Sequence, residues 1–132
     1  MKPNFSGDWV LDRSASVLGA AASAMTSARL QLTHHEPRFG CTAKFVSGDG
    51  AIDFTFERFT DGRAVFVSDQ ESTRCFWDEN TLVSEDRFVA GDATVVMTWR
   101  YELLGNGRRL QATEVILGGG QKQENVWVFQ RA

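Results

Sequence analysis

The residues best suited to chemistry in this 132-residue chain stand in a row: His34, His35 and Glu36. An imidazole titrates near neutral pH, so beside a carboxylate it can serve as acid, base or metal ligand. On a strand, however, adjacent side chains point to opposite faces. The two imidazoles then cannot share one metal ion, and no third ligand stands at a metal-binding spacing, so neither a metal nor a cofactor is expected. One inward imidazole, His34, remains a polar contact for a ligand or an acid–base group. The plainer alternative is one packed and one surface histidine.

Two arginines lie among aromatic residues. An inward Arg74 would need an anionic partner, either a ligand group or an internal Glu. It shares strand parity with Phe76 and opposes Cys75 and Trp77, which leaves its direction open. Arg100 opposes Met97 and Trp99 and is expected on the surface if those two face inward. Glu85 and Asp86 are neighbours, so they cannot act together on one substrate, and at least one is expected on the solvated side. No Ser-His-Asp arrangement can be read from the chain, and Gly118-Gly119-Gly120 reads as a hairpin turn rather than a phosphate loop. The larger asset is aromatic: ten Phe, four Trp and one Tyr.

Strands must position most of these residues. Phe5–Leu11 and Val126–Arg131 are strand-like runs, each with one Trp, and pairing them would close a sheet into a barrel and remove its edges. Between them, turn signals such as Gly48-Asp49-Gly50, Asp61-Gly62, Glu79-Asn80, Gly91-Asp92 and Gly105-Asn106-Gly107 separate further strands. Residues 51 to 59 alternate, with Ile52, Phe54 and Phe56 on one face and Asp53, Thr55 and Glu57 on the other. The expectation is an all-β, up-and-down antiparallel barrel of about ten strands forming a single domain over residues 1–132. One short helical segment, of about one to three turns, is expected between the first and second strands, within Ala15 to Ser27. Val17, Leu18, Ala21, Ala22 and Met25 would form its apolar stripe, and Gly19 is a point where it could break.

Composition narrows the function classes. A net charge of -3 without a basic patch argues against a nucleic-acid partner. The chain shows no transmembrane run and no signal peptide, so membrane insertion is not expected. Cys41 and Cys75 match no metal-ligand spacing and read as buried free thiols, which points to a reducing, cytoplasmic setting. An export leader removed beforehand stays open. A monomer or weak homodimer is expected.

The whole chain resembles the calycin group of lipocalin and fatty-acid-binding-protein-like barrels, and within it small bacterial lipocalin-like proteins. The resemblance rests on Phe5-Ser6-Gly7-Asp8-Trp9, the Thr60-Asp61-Gly62-Arg63 turn, Trp77-Asp78-Glu79-Asn80-Thr81-Leu82-Val83, and Val128-Phe129-Gln130-Arg131. It implies a barrel whose lumen binds a small apolar molecule beneath a helical cap. One departure stands out: Trp127 and Phe129 occupy the last-strand positions where fatty-acid-binding proteins carry an Arg-x-Tyr carboxylate clamp. The leading expectation is non-enzymatic binding of a small hydrophobic or amphiphilic molecule. Phe54, Phe56, Phe66, Trp77, Met97, Trp99, Trp127 and Phe129 would form its walls, with Met25 over the entrance. The alternatives are an enzyme using a lumenal His as acid or base, and a solid-core interaction module.

Overall fold

A computed structural model describes residues 2–132. Ten strands form one antiparallel sheet. They are β1 (Gly7–Leu11), β2 (Met25–His35), β3 (Arg38–Ser47), β4 (Gly50–Phe59), β5 (Val65–Ser68), β6 (Glu71–Asp78), β7 (Thr81–Ala90), β8 (Ala93–Leu104), β9 (Arg109–Gly118) and β10 (Gln121–Arg131). Sequential strands are neighbours, as short connections favour, with the exception of β4 and β5. The β9–β10 turn shows the local cause: Gly119 and Gly120 both have positive φ, 58° and 75°, the backbone that a two-residue hairpin needs and that glycine adopts without a Cβ clash.

The ends of the chain do pair. In β1, Trp9, Val10 and Leu11 stand opposite Arg131, Gln130 and Phe129 of β10. This joins the two halves of the meander and curls the sheet. Inward positions then follow the two-residue period. On β2, Ala28, Leu30, Leu32 and His34 are buried while Arg29, Gln31, Thr33 and His35 are exposed.

Closure is incomplete, which corrects the expectation that no edge remains. Strands β4 and β5 are the two edges of the sheet and share no ladder. The cause is local: β5 has only four residues, and its pairing with β6 slips between Phe66 and Ser68. Such a short, irregular strand cannot extend a second ladder toward β4.

The helical segment lies between the first and second strands, as expected, at the short end of the expected one to three turns. A single 3-10 turn spans Ala22–Ala24. Before it the backbone is committed elsewhere. Asp12 Oδ1 accepts from Ser14 Oγ (2.7 Å) and from the Ala15 amide (3.2 Å), a local turn that competes with helix. Val17 exchanges two backbone hydrogen bonds with Val126 of β10, each 2.8 Å. An isolated helix of this length is marginal, so these partners prevail. The expected stripe breaks up: Val17 is 70% exposed, whereas Leu18, Ala22 and Met25 pack against the core, and Met25 opens β2.

One end of the barrel is solid. Phe5, Trp9, Phe39, Leu82, Leu110 and Phe129 are fully buried there with His34. Trp9 Nε1 donates to the Phe5 carbonyl (3.0 Å), and the Arg131 guanidinium lies 4.3 Å from the Trp9 ring. Among the described residues no helix is long and apolar enough to cross a membrane.

Candidate ligand-binding site

The remainder of the lumen is open space. A cavity of about 680 Å³ lies beneath the 3-10 turn and is walled by inward residues of β3, β4 and β6 to β10. Its volume falls in the range of about 300–1,000 Å³ usual for small-molecule sites. Below it a second void of about 40 Å³ separates the cavity from the solid end, sharing Phe45, Phe54, Phe56, Trp99 and Tyr101 as walls.

Register sets what faces inward. One cross-strand row runs Cys75, Ser84, Trp99, Glu114, Asn125, and the next runs Thr73, Asp86, Met97, Ile116, Gln123. Six of the residues singled out from sequence therefore meet around the cavity: Met25, Phe54, Phe56, Met97, Trp99 and Trp127. Phe129 touches only the smaller void.

Four candidates lie elsewhere. Phe66 is 75% exposed: its partner on β6 is Ser72, on the face opposite buried Thr73. Arg74 also lies on the outer face, its guanidinium 4.6 Å from the Phe76 ring and 3.6 Å from Glu85. Strand alternation thus gave the lumen to Cys75 instead. Trp77 faces inward, but at the solid end, stacked on Phe5 at 6.0 Å.

His34 is at that end too. Its Nδ1 accepts from the Phe5 amide (3.2 Å), which places the ring proton on Nε2, 3.1 Å from Glu36 Oε1. Glu36 also receives the Trp77 indole N–H (2.6 Å) and the Thr60 hydroxyl. Burial alone would raise the Glu36 carboxyl, but the hydrogen bonds from Thr60, His34 and Trp77 outweigh it and hold its pKa below the ordinary value. With 1% of its surface exposed, His34 is a sealed structural link and does not face the cavity, while His35 is exposed on the outer face. Neither histidine is an imidazole open to solvent within the lumen.

Polar and charged residues also line the cavity, among them Arg58, Glu114 and Asn125, which no sequence motif marks. Arg58 of β4 points in, its Nη2 3.4 Å from Asp86 Oδ1 and its guanidinium 4.8 Å from the Phe56 ring. Its Nε is buried without a hydrogen-bond partner. Burial raises the Asp86 carboxyl, and the nearby Arg58 only partly offsets this. Glu114 of β9 is 8% exposed; its Oε1 accepts from Asn125 Nδ2 (3.0 Å) and Trp127 Nε1 (3.2 Å). Asn125 is oriented in turn by the Gly19 amide, which donates to its Oδ1 at 2.7 Å. That bond dictates that the amide NH₂ face Glu114.

A signal for each was present. Arg58 continues the parity of Ile52, Phe54 and Phe56, and Glu114 that of Leu110, Ala112 and Ile116. A charged residue on an apolar parity is the mark to look for. Among the described residues no group of three or more His, Cys, Asp or Glu is arranged to hold a metal ion.

The sequence matches no protein-family model and no curated protein. Solved structures match over almost the whole chain. The fluorescent protein UnaG superposes with a TM-score of 0.68 at 13% identity, covering 97% of each chain. The Schistosoma mansoni fatty acid binding protein, solved with arachidonic acid, gives 0.54 at 14% identity, covering 97% of this chain and 96% of that one. The zebrafish ileal bile acid-binding protein, solved with cholic acid, gives 0.52 at 10% identity, covering 97% and 98%. The fold is therefore that of the calycin, fatty-acid-binding-protein-like barrels, as the terminal motifs implied.

Proposed function

We propose that this protein binds a small hydrophobic or amphiphilic molecule in its lumen, without catalysis, as one barrel unit over residues 1–132. The observation that carries the reading is the cavity of about 680 Å³. Space of this size is hard to reconcile with a purely structural core, because protein interiors are otherwise close-packed. Its walls are what an apolar cargo needs: Phe45, Phe54, Trp99 and Trp127 supply flat rigid surface, and Met25, Met97 and Ile116 supply adaptable contacts. The fold neighbours solved with arachidonic acid and cholic acid carry their ligands on the same architecture, which supports the reading by analogy.

Both cysteines are unpaired and buried, which favours a reducing compartment such as the cytoplasm. The exposed Val65, Phe66 and Val67 of edge strand β5 are compatible with a monomer or with weak self-association.

Native mass spectrometry of the purified protein, combined with displacement of an apolar fluorescent dye, tests the reading. A retained small molecule, or saturable dye uptake by the folded protein, is expected. Absence of both would overturn it.

A further inference from the structure

Four charged side chains line the cavity: Arg58, Glu71, Asp86 and Glu114. One positive and three negative groups give the lumen a formal charge of -2 when all are ionised. The single cation is shared with one of these carboxylates: Arg58 Nη2 faces Asp86 at 3.4 Å, while its Nε has no partner among the described residues. Glu114 is different. It is more than nine-tenths buried, forms no ion pair, and uses only Oε1 toward the protein; among the described residues Oε2 has no hydrogen-bond partner. Glu114 lines the cavity, and its second carboxylate oxygen, without a donor among the described residues, is open to one from a ligand.

We infer that the lumen selects amphiphiles whose polar head is a nitrogen carrying N–H donors, an amine or amide, with Glu114 as the receiving carboxylate, and that it disfavours free carboxylates. This deepens the lumenal-binding proposal and rests on it. The chemistry follows from the inventory. An incoming carboxylate would meet an excess of two negative groups, with the one cation shared with Asp86. An N–H donor completes Glu114 and reduces the negative excess. The receiver is also pre-organised: the indole of Trp127 and the amide of Asn125 clamp Oε1, and Asn125 is fixed by the Gly19 backbone, so Oε2 is held in place before any ligand arrives. Trp99 lies next to Glu114 in the same cross-strand row, where its ring can also accept a cationic head.

The test compares two probes of equal chain length, dodecylammonium and dodecanoate, below their aggregation concentrations and at about 0.15 M salt to suppress long-range attraction. Each is titrated by displacement of an apolar dye from the wild-type protein, from Glu114→Gln and from Glu124→Gln. The last removes the same charge from an exposed outer position of β10.

Dodecylammonium is expected to bind about tenfold more tightly than dodecanoate, the factor a charge-assisted buried hydrogen bond supplies. Glu114→Gln, with folding checked by near-ultraviolet circular dichroism, is expected to bring the ratio near one, while Glu124→Gln keeps it. The wild-type ratio decides the matter even if Glu114→Gln does not fold. Dodecanoate binding as tightly as dodecylammonium, or equal loss of preference in the two variants, overturns the inference and leaves lumenal binding standing. Failure of the dye and both probes to bind overturns lumenal binding itself.

Discussion

The Arg58 guanidinium on β4 reaches the Asp86 carboxylate on β7 at 3.4 Å, spanning the side of the barrel where β4 and β5 share no ladder. Both side chains are about four-fifths buried, at 21% and 19% exposure. The pair does what backbone hydrogen bonds do elsewhere in the sheet: it ties one edge to the opposite wall.

Arg58→Met strands the Asp86 charge in a half-apolar site and is expected to cost about 1–3 kcal/mol. The double variant Arg58→Met, Asp86→Leu removes the stranded charge as well and is expected to recover most of that loss. Urea unfolding of both variants measures the difference. Equal losses would show that the stranded charge is not the source of the cost.

Ser84 lies in the same cross-strand row as Trp99 and Glu114 and faces the cavity with 4% of its surface exposed. Ser84→Phe projects a ring into the empty space. It is expected to weaken apolar-dye uptake at least about tenfold, while overpacking costs no more than about 1–3 kcal/mol. Undiminished uptake by a folded variant would place the dye outside the lumen.

Glu36 has its pKa held below the ordinary value of 4.5 by donors from Thr60, His34 and Trp77, against an opposing contribution from burial. A carboxyl with a folded pKa below its unfolded one binds fewer protons when folded, so its stabilisation is present above the unfolded value. It is lost as pH falls through the folded one. Glu36→Gln is therefore expected to flatten the decline in Tm from pH 4.5 downwards relative to the wild type. Parallel Tm profiles of variant and wild type would contradict this.

Cys41 and Cys75 are buried, and burial pushes both thiols up to about 12. Thiolate is the reactive form, so the native protein is expected to react very slowly with a disulfide reagent at pH 8 and to release two thiols on unfolding. A fast native phase would mean that one of these positions opens to solvent.

The parts of the fold legible in the sequence were those governed by period-two alternation and by turns. Residues 51 to 59 and the Gly118-Gly119-Gly120 turn announce themselves, because one face must be apolar and the turn demands positive φ. The helical segment is held to one turn for a non-local reason: Val17 is bound to Val126, more than a hundred positions away, and no local pattern reports that. The site divides in the same way. Parity identified Phe54, Phe56, Met97 and Trp99 as a possible wall, but it does not tell which end of the barrel is filled. Trp77 and His34 share the inward face with the cavity residues yet lie below it, packed against Phe5. Asp86 and Glu85 point to opposite faces, so alternation sends one of the two inward without telling which, and it is Asp86 that lines the cavity.

The seam between β4 and β5 has a mechanical meaning. Everywhere else around the ring, widening the bore would break backbone ladders, but here no ladder runs, and single contacts such as the Gly62 amide on the Cys75 carbonyl and Arg58 on Asp86 tie the wall. The barrel is a split collar rather than a pipe: along this seam the bore can widen without unzipping a ladder.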